Sequence, residues 1–206
     1  SKALTSTKGQ ALIYSNELVD AFPVRIFRSV SNTVEELFID TRSRQEIFKQ
    51  ATDRPSSSYF NNCHPGLDVR FEVHQSYRQW LAEWVKNLSR GSMLTIDYGA
   101  SSQEILNDKS RGSLRAYLHH TLVQGNGVYQ NVGHQDITCD VNFDDLIEWG
   151  EELGLEQSQL WLQSEFLEQK QSAVDQFLTD QLSKFLANGN LTSRGQVLKF
   201  TISLHL

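Results

Sequence analysis

The apolar run Ala11-Leu12-Ile13-Tyr14, stopped abruptly by Ser15-Asn16-Glu17, constrains this chain more than any other stretch. An apolar run bounded by polar cap residues suits a strand buried on both faces of a parallel sheet. Ser15 or Asn16 is then placed to cap a short helix, with Glu17 near its positive end and Asp20 one turn on. Pro23 ends that helix, because the residue before a proline is pushed out of the helical region. The strand end therefore carries an amide and two acids, at the place where open α/β sheets receive ligands. The same residues also read as a capped turn with solvated acids.

A second run, Ser92-Met93-Leu94-Thr95-Ile96, ends in Asp97-Tyr98-Gly99 and reads as another buried strand. Before it, residues 75–88 carry Tyr77, Trp80, Leu81, Trp84, Val85 and Leu88 at three- and four-residue steps, which predicts an amphipathic helix. Ser89-Arg90-Gly91 ends it, Gly91 suiting a left-handed cap. Strand, helix and strand in this rhythm predict an α/β fold on a parallel sheet. Residues 24–30 and 34–40, joined by Ser31-Asn32-Thr33, read as a β-hairpin. A Ser-, Asn- and Pro-rich surface loop over 52–66 follows, so 24–70 forms an excursion within one domain spanning 1–206. Downstream, 143–153 is helical with Leu146, Ile147 and Trp149 facing inward. Residues 160–186 hold one long or two consecutive C-terminal helices, stopped by Asn188-Gly189-Asn190. Residues 196–206 alternate and predict a terminal strand, an antiparallel member of the sheet.

The formal net charge of -6 argues against a broad nucleic-acid footprint, which needs a basic face. It suits an acidic cleft facing a basic or arginine-bearing protein. Cys63 and Cys139 make no disulfide framework, and a reducing cytoplasm is the compartment this usage suggests. No apolar run approaches the ~20 residues a membrane span requires. Cys63-His64, with His119, His120, His134 and Cys139 elsewhere, shows no metal-ligand spacing, so no metal site is expected. A hydrolase has no Gly-x-Ser-x-Gly elbow to support it.

Four blocks carry a resemblance. They are Asn16-Glu17 with Asp20-Ala21-Phe22-Pro23-Val24; Phe71-Glu72-Val73 with Gly91 through Asp97-Tyr98-Gly99; Ser113-Leu114-Arg115-Ala116-Tyr117 with His120; and Asp136-Ile137-Thr138 with Val141-Asn142-Phe143. In this order, over roughly residues 11–150, they resemble the MidA family of class I S-adenosyl-L-methionine-dependent methyltransferases, relatives of the mitochondrial complex I assembly arginine methyltransferase. Two departures stand out: His74-Gln75 where the family has Ser-Pro or Asn-Pro, and Leu162 where it has threonine before a segment resembling Gln163 to Leu167.

The resemblance implies a Rossmann-like methyltransferase sheet entered at its fourth strand, with S-adenosyl-L-methionine as cofactor and a protein side chain, arginine, as substrate. It places Ser15 and Asn16 at the cofactor and Asn16 and Glu17 at the chemistry, Glu17 accepting a guanidinium fork. Asp97, Tyr98, Arg115, Tyr117, Gln135 and Asp136 would border the substrate. Asp20 is assigned to structure, and Thr138 mainly so. Arg115 and Asp136 read equally as residues that knit two loops over the sheet end.

The family's glycine-rich cofactor loop has no counterpart in this sequence. Gly125-Asn126-Gly127 does not follow a buried strand. Taken alone, such a chain is expected to lack half its cofactor site and to expose a sheet edge where a first strand would pair, an edge a homodimer would cover. The alternative to an enzyme is a non-catalytic interaction remnant that keeps the docking surface without the cofactor.

Overall fold

The computed structural model describes residues 2–31, 33–62, 68–168 and 195–202. A short helix, Lys2–Ser6 (α1), leads into Gln10–Asn16 (β1). β1 pairs in parallel with Arg90–Ala100 (β6), Gln10 opposite Arg90 and Asn16 opposite Ile96. The far side of β6 takes Gly195–Ile202 (β12), and β12 takes Glu156–Leu162 (β11), both antiparallel. The order is thus β1-β6-β12-β11, with the two residues Val141–Asn142 (β10) added in parallel at Gly99 and Ala100 of β6. The predicted parallel pair and antiparallel terminal strand are both present.

The excursion is a second, antiparallel sheet. Arg25–Val30 (β2) and Thr33–Ile39 (β3) form the expected hairpin, extended by Glu46–Gln50 (β4) on one side and Val69–Val73 (β5) on the other. Arg115–Leu118 (β7), Thr121–Val123 (β8) and Asp136–Thr138 (β9) make a third small sheet.

Helix Gln75–Val85 (α3) sits where its apolar period predicts, with Tyr77, Leu81, Trp84 and Val85 buried. Phe143–Glu152 (α5) buries Phe143, Leu146 and Trp149. These side chains share one core with Phe27 and Phe71 of the second sheet and with Met93 of β6. Because side chains alternate along a strand, Leu94 and Ile96 face the other way. They pack with Phe166 of the short helix Gln163–Glu168 (α6). Ser102–Asp108 (α4) starts on a capping box in which Ser101 and Glu104 satisfy each other's backbone N–H.

Several sequence expectations are corrected. Residues 17–24 form a turn, not a helix, because their backbone N–H groups bond elsewhere: Glu17 to the Ile96 carbonyl and Val19 to Asp97 Oδ2. β1 is not buried on both faces: Leu12 is 66% exposed and Tyr14 49%. Gly91 is no helix cap. The helix ends at Val85, and Gly91 lies in β6, where a Cβ would stand 1.7 Å from the Ala11 carbonyl oxygen. The loop after the hairpin is not wholly superficial. It contains the helix Tyr59–Asn62 (α2), and Ser57 and Tyr59 are buried. Buried Asp145 of α5 draws it in by accepting from Ser57 Oγ at 2.7 Å and from the Ser58 N–H at 2.7 Å. Residues 160–162 belong to β11 rather than to a helix. Cys63-His64 and the predicted helix beyond Glu168 lie outside the described residues.

Candidate active site

β1 and β6 run side by side until Asn16 pairs with Ile96, β6 going on to Ala100, and at this end of the pair opens a cavity of about 1420 Å3. Glu17, Asp20 and Ala21 line it from the turn after β1, and Tyr98 lines it from the end of β6. Arg115, Tyr117, His120, Gln135, Asp136, Ile137 and Thr138 close it from the small third sheet.

The floor is built by Asp97, which is 1% exposed. Its Oδ2 accepts from the backbone N–H of Val19 at 2.9 Å and of Asp20 at 3.4 Å, and its Oδ1 from Tyr98 N–H at 2.9 Å. One carboxylate thus shapes both strand ends, and it bends the β1 turn tightly enough that Glu17 adopts φ +47°. Burial, reinforced by nearby Asp20, pushes the Asp97 carboxyl up to about 7. Asp20 is also raised, by burial and then by Glu17, with Arg115 pulling it back. Burial and then Glu17 raise the Tyr98 hydroxyl to about 12.

The opposite wall is fixed from behind. Glu72, 1% exposed, accepts from the Ser113 N–H and hydroxyl, both at 3.0 Å to Oε2. The Ser113 hydroxyl in turn accepts from Asp140 N–H at 2.8 Å. Asp140 receives Arg115 Nη1 at 2.6 Å and pairs with Lys109. Gly112 makes this approach possible. It adopts φ +84°, and a Cβ there would come 2.4 Å from Glu72 Oε1. His119 and His120, at φ +49° and +62°, form the two-residue turn between β7 and β8. That turn carries His120 to the cavity rim. Next to this wall, Cys139 Sγ lies 3.4 Å from His74 Nε2, both residues 1% exposed. Burial lowers His74 to about 4 and raises the Cys139 thiol, so the pair stays neutral and sealed from the cavity.

Of the residues singled out in the sequence, Glu17, Tyr98, Arg115, Tyr117, Gln135 and Asp136 meet at the cavity. Asp97 lies beneath it with its oxygens engaged, not against a substrate. Ser15 is buried and donates to Thr95 Oγ1 at 3.0 Å, and Asn16 is half-buried at the last position of β1. Arg115 is committed to Asp140 and to the Ser113 carbonyl, and the Gln135 amide donates to the Gly127 carbonyl at 3.3 Å. The sequence reading assigned Asp20 to structure, and Thr138 mainly so. Each lines the cavity, and each has a buried oxygen without a hydrogen-bond partner, Asp20 Oδ1 and Thr138 Oγ1. The strand end marks Asp20 as an acid near a ligand site, but nothing local marks its pairing with Thr138, which comes from segments over a hundred residues apart.

Comparison with known proteins yields one family model. It is described as a "putative S-adenosyl-L-methionine-dependent methyltransferase" and matches residues 2–160. No curated protein matches the chain in sequence. Two solved structures from Burkholderia thailandensis are similar in fold. One, a native crystal structure of an uncharacterized protein, superposes with a TM-score of 0.66 at 23% identity over 93% of this chain. The other, described as a "likely methyl transferase" bound to S-adenosyl-homocysteine, gives 0.68 at 23% identity over 96%. The chain spans 55% of the length of each.

Proposed function

This chain belongs to the family described as "putative S-adenosyl-L-methionine-dependent methyltransferase", and on that premise we propose that its cavity serves methyl transfer to a protein side chain, arginine being the one its MidA-like blocks suggest. The observation that carries the reading is the cavity itself. It opens at the carboxyl ends of two parallel strands, where α/β sheets take ligands, and its lining brings Glu17, Asp20 and Asp136 together with Tyr98 and Tyr117.

When bound, S-adenosyl-L-methionine supplies an electrophilic methyl on a sulfonium and leaves as a neutral thioether. The residues present fit that cationic end: three carboxylates and two phenol rings suit positive charge. In this reading Asn16 and Glu17, at the end of β1, serve the cofactor and the accepting nitrogen, which the position of Glu17 in the cavity lining supports. Tyr98 and Tyr117 offer faces to hold a planar group. Asp97 acts one step removed, by fixing the turn that presents Glu17 and Asp20. Such a reaction needs little covalent help, so positioning and electrostatics supply the rate. A basic or arginine-bearing protein substrate agrees with the acidic charge, and a cytoplasmic location with the cysteine usage.

The test is calorimetric titration of the protein carrying this chain with S-adenosyl-homocysteine, followed by transfer of labelled methyl from the cofactor to an arginine peptide. Micromolar binding and label on arginine are expected, with Glu17→Ala lowering kcat/KM. Absence of any binding would favour the alternative, a docking module without cofactor.

A further inference from the structure

Asp20 is 6% exposed, yet its Oδ1 has no hydrogen-bond partner and the residue lines the cavity. A buried carboxylate oxygen left unpaired costs free energy that a folded chain ordinarily avoids. Thr138 Oγ1 is in the same position in the same cavity. Their segments lie side by side, because Cys139 N–H, one residue past Thr138, donates to the Asp20 carbonyl at 3.1 Å. Around them the wall's own cation is spent: Arg115 is held by Asp140 at 2.6 Å. At this point the cavity lining therefore holds two buried, unpartnered oxygens on adjoining elements, one of them a carboxylate's, with Tyr98 and Tyr117 in the same lining.

A ligand that satisfies both needs several donors, a positive charge and a flat face. A guanidinium meets all three requirements: five N–H donors in a rigid plane, permanently charged, able to fork onto a carboxylate and stack on an aromatic ring. We propose that Asp20 and Thr138 form the subsite that receives the guanidinium of an arginine side chain, Asp20 Oδ1 taking the charged hydrogen bond and Thr138 Oγ1 accepting beside it. The proposal rests on the methyl-transfer reading for its biological sense. It changes the assignment of residues, because the sequence alone points to Glu17 for this contact and leaves Asp20 to structure. The Cys139–Asp20 bond ties β9 to the turn after β1, so the subsite exists only when those two elements are docked.

The test is binding, independent of turnover. The protein carrying this chain is titrated by calorimetry with an acetylated, amidated Gly-Arg-Gly peptide and with its citrulline counterpart, alongside S-adenosyl-homocysteine. The arginine peptide is expected to bind at least 10-fold more tightly than the citrulline peptide, which has the same shape without the charge. Asp20→Asn is expected to abolish that preference and Thr138→Val to weaken arginine binding about 3- to 10-fold. Equal binding of the two peptides by the wild type, or an undiminished preference in Asp20→Asn, overturns the subsite. The peptide comparison in the wild type stands even if Asp20→Asn folds poorly. Failure of S-adenosyl-homocysteine to bind while the arginine preference holds would refute the methyltransferase reading and leave the guanidinium subsite standing.

Discussion

β1 and β6 look alike in the sequence and live differently in the fold. Each is a short apolar run ending in polar residues, and each reads as a strand buried on both faces. β6 is: Met93 through Asp97 are all buried, with β1 on one side, β12 on the other, and apolar clusters above and below. β1 pairs only with β6 among the described residues, and only one of its faces is covered. Ala11 and Ile13 pack against the main core, while Leu12 and Tyr14 point out. The difference teaches that an apolar run records which residues can be buried, while the number of neighbours decides which of them are. It also separates two kinds of contribution to the cavity. β6 contributes Asp97, a fully engaged organiser, and β1 contributes a turn whose Asp20 keeps an open oxygen.

The sharpest way to break this comparison is to truncate one side chain on each strand. Met93 is 1% exposed, and Met93→Ala should cost about 3 kcal/mol, the lost transfer energy plus the cavity left behind. Leu12→Ala, at a position 66% exposed, should stay within about 0.5 kcal/mol. Urea unfolding of both variants measures the contrast. Equal costs would mean that β1 is buried in solution by something its own fold does not provide.

What the sequence made legible follows the same line. Elements whose signal is local were readable: the Tyr77-Leu81-Trp84-Val85 stripe, the β2–β3 hairpin, the α5 helix and the alternating terminal strand. Elements decided by distant partners were not. The segment after β1 has an adequate cap, an acidic first turn and a terminating proline, yet it forms no helix because Asp97, some eighty residues on, takes its N–H groups. The loop before α2 is polar by composition, yet Asp145 and the Trp149 indole, which donates to the Ser56 carbonyl at 3.1 Å, pull it against the core. The acidic residues of the site were visible as a cluster, but their division into engaged and open oxygens was not. That division depends on β9 docking against the β1 turn.

A smaller effect separates the strands by pH. The Asp97 carboxyl sits at about 7 in the folded chain because of burial and Asp20, against ~3.9 in an unfolded one. Between those values the folded state holds a proton that the unfolded state has released, so this group's contribution to stability is greatest at low pH and is lost as pH rises toward 7. Asp97→Asn removes that titration. Its stability should therefore depend on pH less steeply than the wild type's, by up to about 1 kcal/mol per pH unit between pH 5 and 6.5. The substitution should also cost about 1–3 kcal/mol at low pH. One carbonyl oxygen can accept either from Val19 and Asp20 or from Tyr98, but not from both sides. Chemical denaturation at several pH values reads both effects, and parallel pH profiles would show that Asp97 titrates as an ordinary carboxylate.

The smallest effect on stability tests the open side of β1. A strand with an unpaired edge and exposed apolar side chains invites pairing with another copy, and a lysine placed there discourages it. Leu12→Lys should leave the unfolding midpoint within about 0.5 kcal/mol of the wild type, because the side chain is already in water. If two copies meet along β1, the substitution should abolish a concentration-dependent rise in sedimentation coefficient that the wild type shows at tens of micromolar. A wild type that sediments as a monomer throughout would remove the homodimer. The arginine subsite would be untouched by that result, because Asp20 and Thr138 line the cavity from a single chain.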